Sequence, residues 1–127
     1  MQLVKALVSA REELASWRQH LHQNPEIAYE EKDTSDFVAA KLESFGVEVH
    51  RGFGGTGLVG VIKGNLGDLE SGKAIGLRAD MDALPMSEET NLAYASQRPG
   101  RMHACGHDGH TTMLLAAARH LAKTRDF

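Results

Sequence analysis

The spacing of apolar residues changes twice along this chain, and this change restricts the possible folds more than any other feature of the sequence. Apolar side chains recur at helical intervals over residues 2–22 and again over residues 33–44. Asn24-Pro25 ends the first stretch, because proline restricts the residue before it and cannot continue a helix. Gly46 follows the second stretch, at a place where helices often end on glycine. The sequence therefore predicts two helices ahead of any strand.

After Gly46 the pattern becomes that of β-structure. Residues 47–50 alternate apolar and polar side chains, as a half-buried strand does. A glycine-rich turn is predicted at residues 52–57, a second strand at residues 58–63 and a polar turn at residues 65–72. This part of the chain is expected to contribute two strands.

The last part of the chain predicts a strand, a loop and a helix. Residues 74–79 form an apolar run that predicts a buried strand, which delivers Asp80 and Asp82 at its C-terminal end. Residues 91–101 predict a loop, and the final helix is expected to begin within residues 108–111. The order ααβββα predicts an α/β fold in which helices cover at least part of a layered sheet.

Length and charge narrow the class of protein. A chain of 127 residues is expected to form at most one domain. Its formal net charge of −3 gives no reason to propose nucleic acid or an anionic membrane as a partner. Its apolar runs fall short of membrane-spanning length, and the first ten residues lack the long apolar stretch of a secretory signal. A single cysteine excludes an internal disulfide, so a cytoplasmic protein is expected.

One short segment contains an unusual concentration of side chains suited to metal binding. His103, Cys105, His107, Asp108 and His110 fall within eight residues. A thiolate and an imidazole are both good ligands for zinc and similar ions, and Cys105 and His107 can reach one ion across the intervening glycine. A buried cysteine beside a solvent-facing histidine is the alternative for this pair alone. Four candidate ligands so close together favour a metal site.

The other polar residues near this segment have several possible roles. His103 and His110 are expected to hydrogen-bond a carboxylate, a substrate or a metal ligand, whereas Asp108 equally fits a helix N-cap. Asp80 and Asp82 point to one side of a strand, where two carboxylates are costly without a cation, a donor or water nearby. One of them is expected to fix the tautomer of a ligating imidazole, and a solvated turn is the alternative.

Other chemistries fit the sequence poorly. A cysteine hydrolase could pair Cys105 with a histidine, but residues of one short loop are usually badly placed to meet as nucleophile and base. The sequence has neither a G-x-S-x-G elbow nor a phosphate-binding G-x-x-x-x-G-K-S/T motif. His20 and His22, followed by Pro25-Glu26, fit a structural and a substrate-facing role equally well, and their spacing does not decide between them.

Three stretches together resemble a known enzyme group. They read RQHLHQNPE at residues 18–26, RADMDALP at residues 78–85 and MHACGHDGHTT at residues 102–112. In this combination and order they resemble the metal-dependent amidohydrolases, a group that includes hippurate hydrolase, N-acyl-amino-acid amidohydrolases and the plant hydrolases of indoleacetyl-amino-acid conjugates. The resemblance extends over essentially the whole chain.

The resemblance implies a layered α/β/α metallopeptidase-type catalytic domain that binds two divalent ions, zinc or manganese first and cobalt or nickel as further candidates. Cys105 and His107 match two metal ligands of the group, and Asp82 matches an aspartate that supports the metal centre. Asp80 stands where many members of the wider family carry a ligating histidine. No ligand role follows from the resemblance for the other polar residues of the motif.

Members of this group are several times longer than 127 residues. Residues 1–127 are therefore expected to be an N-terminal part of the catalytic domain, without the lid and dimerisation domain, the general-base glutamate and the later histidine ligands. The expected function is that of a segment of an amidohydrolase that cleaves the amide bond of N-acyl amino acids such as hippurate and that forms a homodimer when complete. The alternative is a non-catalytic fragment with weak metal binding or a packing role.

Overall fold

A computed structural model describes residues 4–66 and 72–127 of the chain. Within these residues the chain forms four helices and one antiparallel hairpin. The elements are α1 (Lys5–Ser9), α2 (Arg11–Gln23), α3 (Lys32–Ser44), β1 (Glu48–Phe53), β2 (Gly57–Val61) and α4 (His107–Thr124). None of the described helices combines the length and the apolarity needed to cross a membrane.

The first predicted helix is interrupted. Instead of one helix over residues 2–22, α1 and α2 meet at Ala10, whose φ of −92° and ψ of 7° break the helical run. None of the five residues of α1 is fully buried, so only weak packing holds α1 in line with α2. The start of that prediction, Gln2 and Leu3, lies outside the described residues. The end is confirmed, because α2 stops at Gln23 just ahead of Asn24-Pro25.

A distant carboxylate holds the start of α3. The backbone N–H groups of Asp33 and Thr34 donate to the side chain of Glu26 at 3.2 and 2.7 Å, and the Thr34 hydroxyl donates to it at 2.7 Å. Free N–H groups and a partial positive charge at a helix N-terminus favour such an anion. The buried Glu26 therefore has a structural role at this helix end.

The two strands form the predicted hairpin, but β1 is longer than the sequence predicts, whereas β2 ends at Val61, two residues before the predicted end. Strand β1 continues to Phe53, and the register shifts by a bulge between Arg51 and Phe53. Gly52 lies at the bulge with a φ of +93°, a conformation that favours glycine. A Cβ at Gly57 would stand 2.5 Å from the carbonyl oxygen of Phe53, so the two chains can approach here only because position 57 has no side chain.

The buried strand predicted at residues 74–79 is wrong. These residues form neither a helix nor a strand, they pair with no strand in the described ranges, and Ile75 is 91% exposed. An apolar pattern indicates which side chains suit burial, whereas a strand also needs a hydrogen-bonding neighbour. The observed order is therefore αααββα. The polar turn predicted at residues 65–72 lies mostly outside the described residues.

The core joins the helices to the hairpin. Leu115 of α4, which is 1% exposed, packs with residues of α2, α3 and the start of β1. The buried core consists of Trp17, Val38, Leu42, Val47, Leu115, Ala118 and Ala122.

Two isolated bridges bring the remaining segments together. Ala83 N–H donates to the Glu26 carbonyl at 2.7 Å, and Leu84 exchanges backbone hydrogen bonds of 2.9 and 3.0 Å with Met102. These contacts place the Asp82 segment against the loop that leads into α4.

Candidate metal centre

A carboxylate–imidazole pair forms the centre of the candidate site. His107 is the first residue of α4, and its Nδ1 lies 2.9 Å from both the carbonyl oxygen and Oδ1 of Asp82. Both oxygens are acceptors, so Nδ1 carries the ring proton and donates it. This arrangement leaves Nε2 as the nitrogen with a free lone pair, which is the arrangement found in metal-binding histidines. The structure therefore brings Asp82 and His107 together as the sequence predicts.

Cys105 precedes this pair on an exposed turn. The thiol is free and exposed, which is the reverse of the alternative considered for the sequence, a buried cysteine beside a solvent-facing histidine. Gly106 has a φ of +84° and lets the chain turn sharply from Cys105 into α4. The Thr111 hydroxyl donates to the carbonyl of Asp80 at 3.1 Å and thereby holds the residue 80–82 segment over the first turns of α4.

Asp80 and His110 lie at the edge of the site. Arg78 donates to Oδ1 of Asp80 from Nε and Nη2, at 2.9 and 2.7 Å. This hydrogen bond and the charge of Arg78 lower the pKa of the exposed Asp80 carboxyl. The His110 ring is exposed, with its centroid 5.6 Å from that of His107. The two aspartates therefore have different partners, and only Asp82 contacts a proposed ligand.

The donor set suits a divalent transition metal but is small. A thiolate and a carboxylate-oriented imidazole are typical of zinc-type sites. In the parts of the chain that the structure describes, however, no three His, Cys, Asp or Glu side chains are grouped so as to hold an ion. Catalytic zinc sites commonly use three protein ligands, so Cys105 and His107 would need at least one more.

His103 is buried next to the candidate site. Only 5% of its surface is exposed, and both ring nitrogens are buried without a hydrogen-bond partner among the described residues. Its ring centroid lies 6.4 Å from that of His22. Burial lowers the pKa of His103, and the charge of Asp108 opposes that effect. An orphaned buried imidazole beside two proposed ligands is consistent with a polar centre at this place.

Asp108 is not the N-cap that the sequence allowed. It lies in the first turn of α4, makes no side-chain capping bond and is 1% exposed. Its Oδ2 accepts a hydrogen bond from Arg18 Nε at 3.1 Å and lies 2.8 Å from His22 Nδ1. Sequence reasoning missed this contact. The available signal was the four-residue spacing of Arg18 and His22, which places both side chains on one face of α2.

The same histidine reaches a second buried carboxylate. His22 Nε2 lies 3.0 Å from Oε1 of Glu88, and Glu88 also accepts hydrogen bonds from the Thr90 hydroxyl and, at 2.6 Å, from Ser96 N–H. Burial disfavours the charged form of Glu88. The bonds from Thr90, Ser96 and His22, with the charge of His22, outweigh burial and lower the pKa of Glu88 to about 2. We call Arg18, His22 and Glu88, together with the Asp108 carboxylate between α2 and α4, the Asp108 clamp.

Comparison with known proteins identifies the family. The sequence profile of Peptidase family M20/M25/M40 matches residues 76–127. Over 96% of its length the chain is 51% identical to a hippurate hydrolase of Campylobacter jejuni. The chain belongs to peptidase family M20/M25/M40. An N-acyl-L-amino acid amidohydrolase of Geobacillus stearothermophilus is 42% identical over 97% of the chain.

Solved structures confirm the M20 fold. The Bacillus subtilis YXEP protein, described as a dinuclear metal binding peptidase from the M20 family, superposes with a TM-score of 0.83 at 37% identity and matches 91% of this chain. These comparisons confirm the resemblance to amidohydrolases and the α/β fold class. The chain spans 31% of the C. jejuni hippurate hydrolase and 32% of the YXEP chain.

Proposed function

We propose that this chain supplies part of the catalytic domain of a metal-dependent amidohydrolase that cleaves the amide bond of N-acyl amino acids, with hippurate-like substrates first. The observation that carries the proposal is the hydrogen bond from His107 Nδ1 to Asp82. His107 lies only two residues after the exposed Cys105. The relatives named hippurate hydrolase and N-acyl-L-amino acid amidohydrolase support the substrate class.

The chain's own residues hold and orient the metal centre in this proposal. The Cys105 thiolate and Nε2 of His107 are the two ligands, and two divalent ions, zinc or manganese first, are proposed by analogy with the dinuclear YXEP protein. Bound divalent ions supply Lewis-acid chemistry, because they polarise a carbonyl and make water more acidic. Asp82, predicted from the sequence as a catalytic residue, acts through His107 by fixing its tautomer.

The organisation of the complete enzyme is part of the same proposal. Residues 1–127 would form one section of the catalytic domain, and further ligands, the general base and a lid and dimerisation domain would belong to the rest of a homodimeric enzyme. The described residues provide two of the proposed ligands, so this section needs the remainder for catalysis. The substrate is a small molecule, and neither nucleic acid nor a membrane has a role in the proposal.

A segment exchange tests the function directly. The matching segment of the C. jejuni hippurate hydrolase is replaced by this chain, and hippurate hydrolysis by the hybrid is measured with manganese or zinc. We expect hydrolysis, with near-complete loss in the Cys105→Ala and His107→Ala hybrids and retention in the His110→Ala hybrid. A folded, metal-loaded hybrid without activity, or a Cys105→Ala hybrid with full activity, would contradict the proposal.

The chain alone is expected to be inactive. With two of the proposed ligands, metal-treated chain should hydrolyse hippurate far below the rates of about 1 per second and above that are common among enzymes. Release of glycine from hippurate by the purified chain is the measurement. Enzyme-like turnover that disappears in the Cys105→Ala variant would show that these residues suffice.

A further inference from the structure

Asp108 is adjacent in sequence to the proposed ligand His107, yet its side chain contacts different elements. Asp82 holds the His107 ring, whereas Asp108 is bound by α2. We propose that Arg18 and His22 are positioning residues that hold Asp108, and through it fix Cys105 and His107 in the geometry that binds metal. This inference rests on the proposed function, since it assigns a role toward the same metal centre.

Burial makes the Asp108 contact restrictive. A carboxylate that is 1% exposed is costly unless charged or polar donors meet it. Arg18 and His22 meet one oxygen, Oδ2, at 3.1 and 2.8 Å. Any rotation or shift of the first turn of α4 would break these contacts. His107 and Asp108 are adjacent residues of that turn. Holding the Asp108 side chain therefore also fixes the backbone position of His107.

His22 is itself held on both sides. Its Nδ1 faces Asp108 and its Nε2 faces Glu88, which is tied to the following loop by Ser96 N–H. The Tyr94 ring meets the His22 ring edge-on, with centroids 5.6 Å apart. A side chain with both ring nitrogens occupied and an aromatic neighbour has little freedom to move. The Asp108 clamp therefore connects α2, the loop after Glu88 and the start of α4.

The metal-binding turn needs such external support because its own sequence is permissive. Gly106 and Gly109 flank His107 and Asp108, and a Cβ at either glycine would meet no atom within 4 Å apart from those of adjacent residues and of the helix backbone. A backbone with so little steric restriction does not by itself fix the directions of Cys105 and His107. Restraint comes from the two sides: Asp82 on the ring of His107, and the clamp on Asp108.

The test measures local order and metal affinity in the 127-residue chain. The variants are His22→Gln, Arg18→Gln and Asp108→Asn, and His20→Gln is the matched control because His20 is an exposed histidine on α2 that stacks on Phe37. Hydrogen–deuterium exchange is followed by mass spectrometry for residues 102–112 and, separately, for α3. Cobalt(II) is then titrated while the thiolate-to-cobalt charge-transfer band is recorded.

We expect exchange to accelerate over residues 102–112 while α3 stays protected, and cobalt affinity to fall roughly tenfold, the scale known for residues that orient metal ligands. His20→Gln should change neither. Substitution of Arg18 should disturb folding least of the three, because its side chain is 42% exposed. Arg18→Gln therefore gives a folded variant if the substitutions at the buried residues do not.

Three results would contradict either the positioning role of the clamp or the proposed function. Equal acceleration over residues 102–112 and α3 would make the clamp a general stabiliser and overturn the inference. Unchanged cobalt affinity in all variants, with a normal band in the unmodified chain, would also overturn it. A band that survives Cys105→Ala would contradict the proposed function, because Cys105 would then not be the sulfur ligand, and selective exchange over residues 102–112 would still show that the clamp orders this turn.

Discussion

At the scale of single residues, Asp82 and Asp108 show how position decides what a carboxylate does. Asp82 is part-exposed and holds a ring that has one nitrogen free for a metal ion. Asp108 is almost fully buried and is held by side chains from another helix. Spacing predicted that one of Asp80 and Asp82 contacts a ligating imidazole, and the resemblance pointed to Asp82; its support of a metal centre stays a prediction. The role of Asp108 depends on residues 86 and 90 positions away along the chain, which no local pattern reveals.

Replacing Asp82 by asparagine should weaken metal binding without unfolding the chain. The amide oxygen can still accept the His107 proton, but the negative charge that makes the imidazole a better ligand is lost. We expect cobalt affinity to fall roughly 10–100-fold, as is typical of such partners. Asp80→Asn is the control, because Arg78 already binds that carboxylate and its loss should leave affinity nearly unchanged. Equal effects of the two substitutions would refute the assignment.

Glu88 should make stability depend on pH in the acidic range. Its pKa is about 2 in the folded chain against 4.5 as the ordinary value, so the folded state favours the charged form. The resulting stability is fully present above about pH 4.5 and is lost as pH falls toward 2. Thermal unfolding, followed by Trp17 fluorescence, should show Glu88→Gln less stable at pH 7 and close to the unmodified chain near pH 2. Glu48→Gln, at an exposed site, should stay parallel to the unmodified chain throughout.

At the scale of elements, the sequence predicted where helices end better than it predicted which strands pair. Pro25 and Gly46 mark where α2 and α3 stop, because their effects act on the adjacent backbone. The strand predicted at residues 74–79 failed because pairing requires a partner elsewhere. For the same reason the single helix predicted over residues 2–22 missed the break at Ala10, where the lack of buried contacts in α1 decides.

Glycine 57 offers a test of the hairpin. In Gly57→Ala the new methyl group would lie 2.5 Å from the Phe53 carbonyl oxygen, so the backbone must shift. Such overpacking typically costs about 1–3 kcal/mol. Gly109→Ala is the matched comparison, because it lies in α4 with open space around it and should stabilise the chain by about 0.5–1 kcal/mol. Urea denaturation measures both, and similar free energies of unfolding for the two variants would contradict the close approach.

At the scale of the whole molecule, an apolar face is open to solvent. Leu66 is 61% exposed, Ile75 91% and Leu77 59%, beside a groove lined by Leu58, Leu114 and Leu121. Exposed apolar surface of this kind drives association. We expect the chain to form concentration-dependent oligomers in sedimentation experiments.

Charged substitutions on that face should reverse the association. Ile75→Lys combined with Leu77→Lys is expected to shift the chain toward monomer. Val8→Lys, at a single exposed apolar residue of α1, should leave association as it is. A monodisperse monomer of the unmodified chain at tens of micromolar would mean that this face is not adhesive.

The backbone bond between Ala83 and Glu26 has a consequence for this open face. It fixes the position of the chain just after Asp82, and with it the register that a neighbouring strand would have to adopt along residues 74–79. A strand that joined this edge one residue out of step would present its opposite face. The side chains of that strand that would otherwise face the proposed metal centre would then point to the opposite side of the sheet. The hydrogen bond at Ala83 thus sets the register in which a neighbouring strand would have to pair for its side chains to face the same side as Asp82.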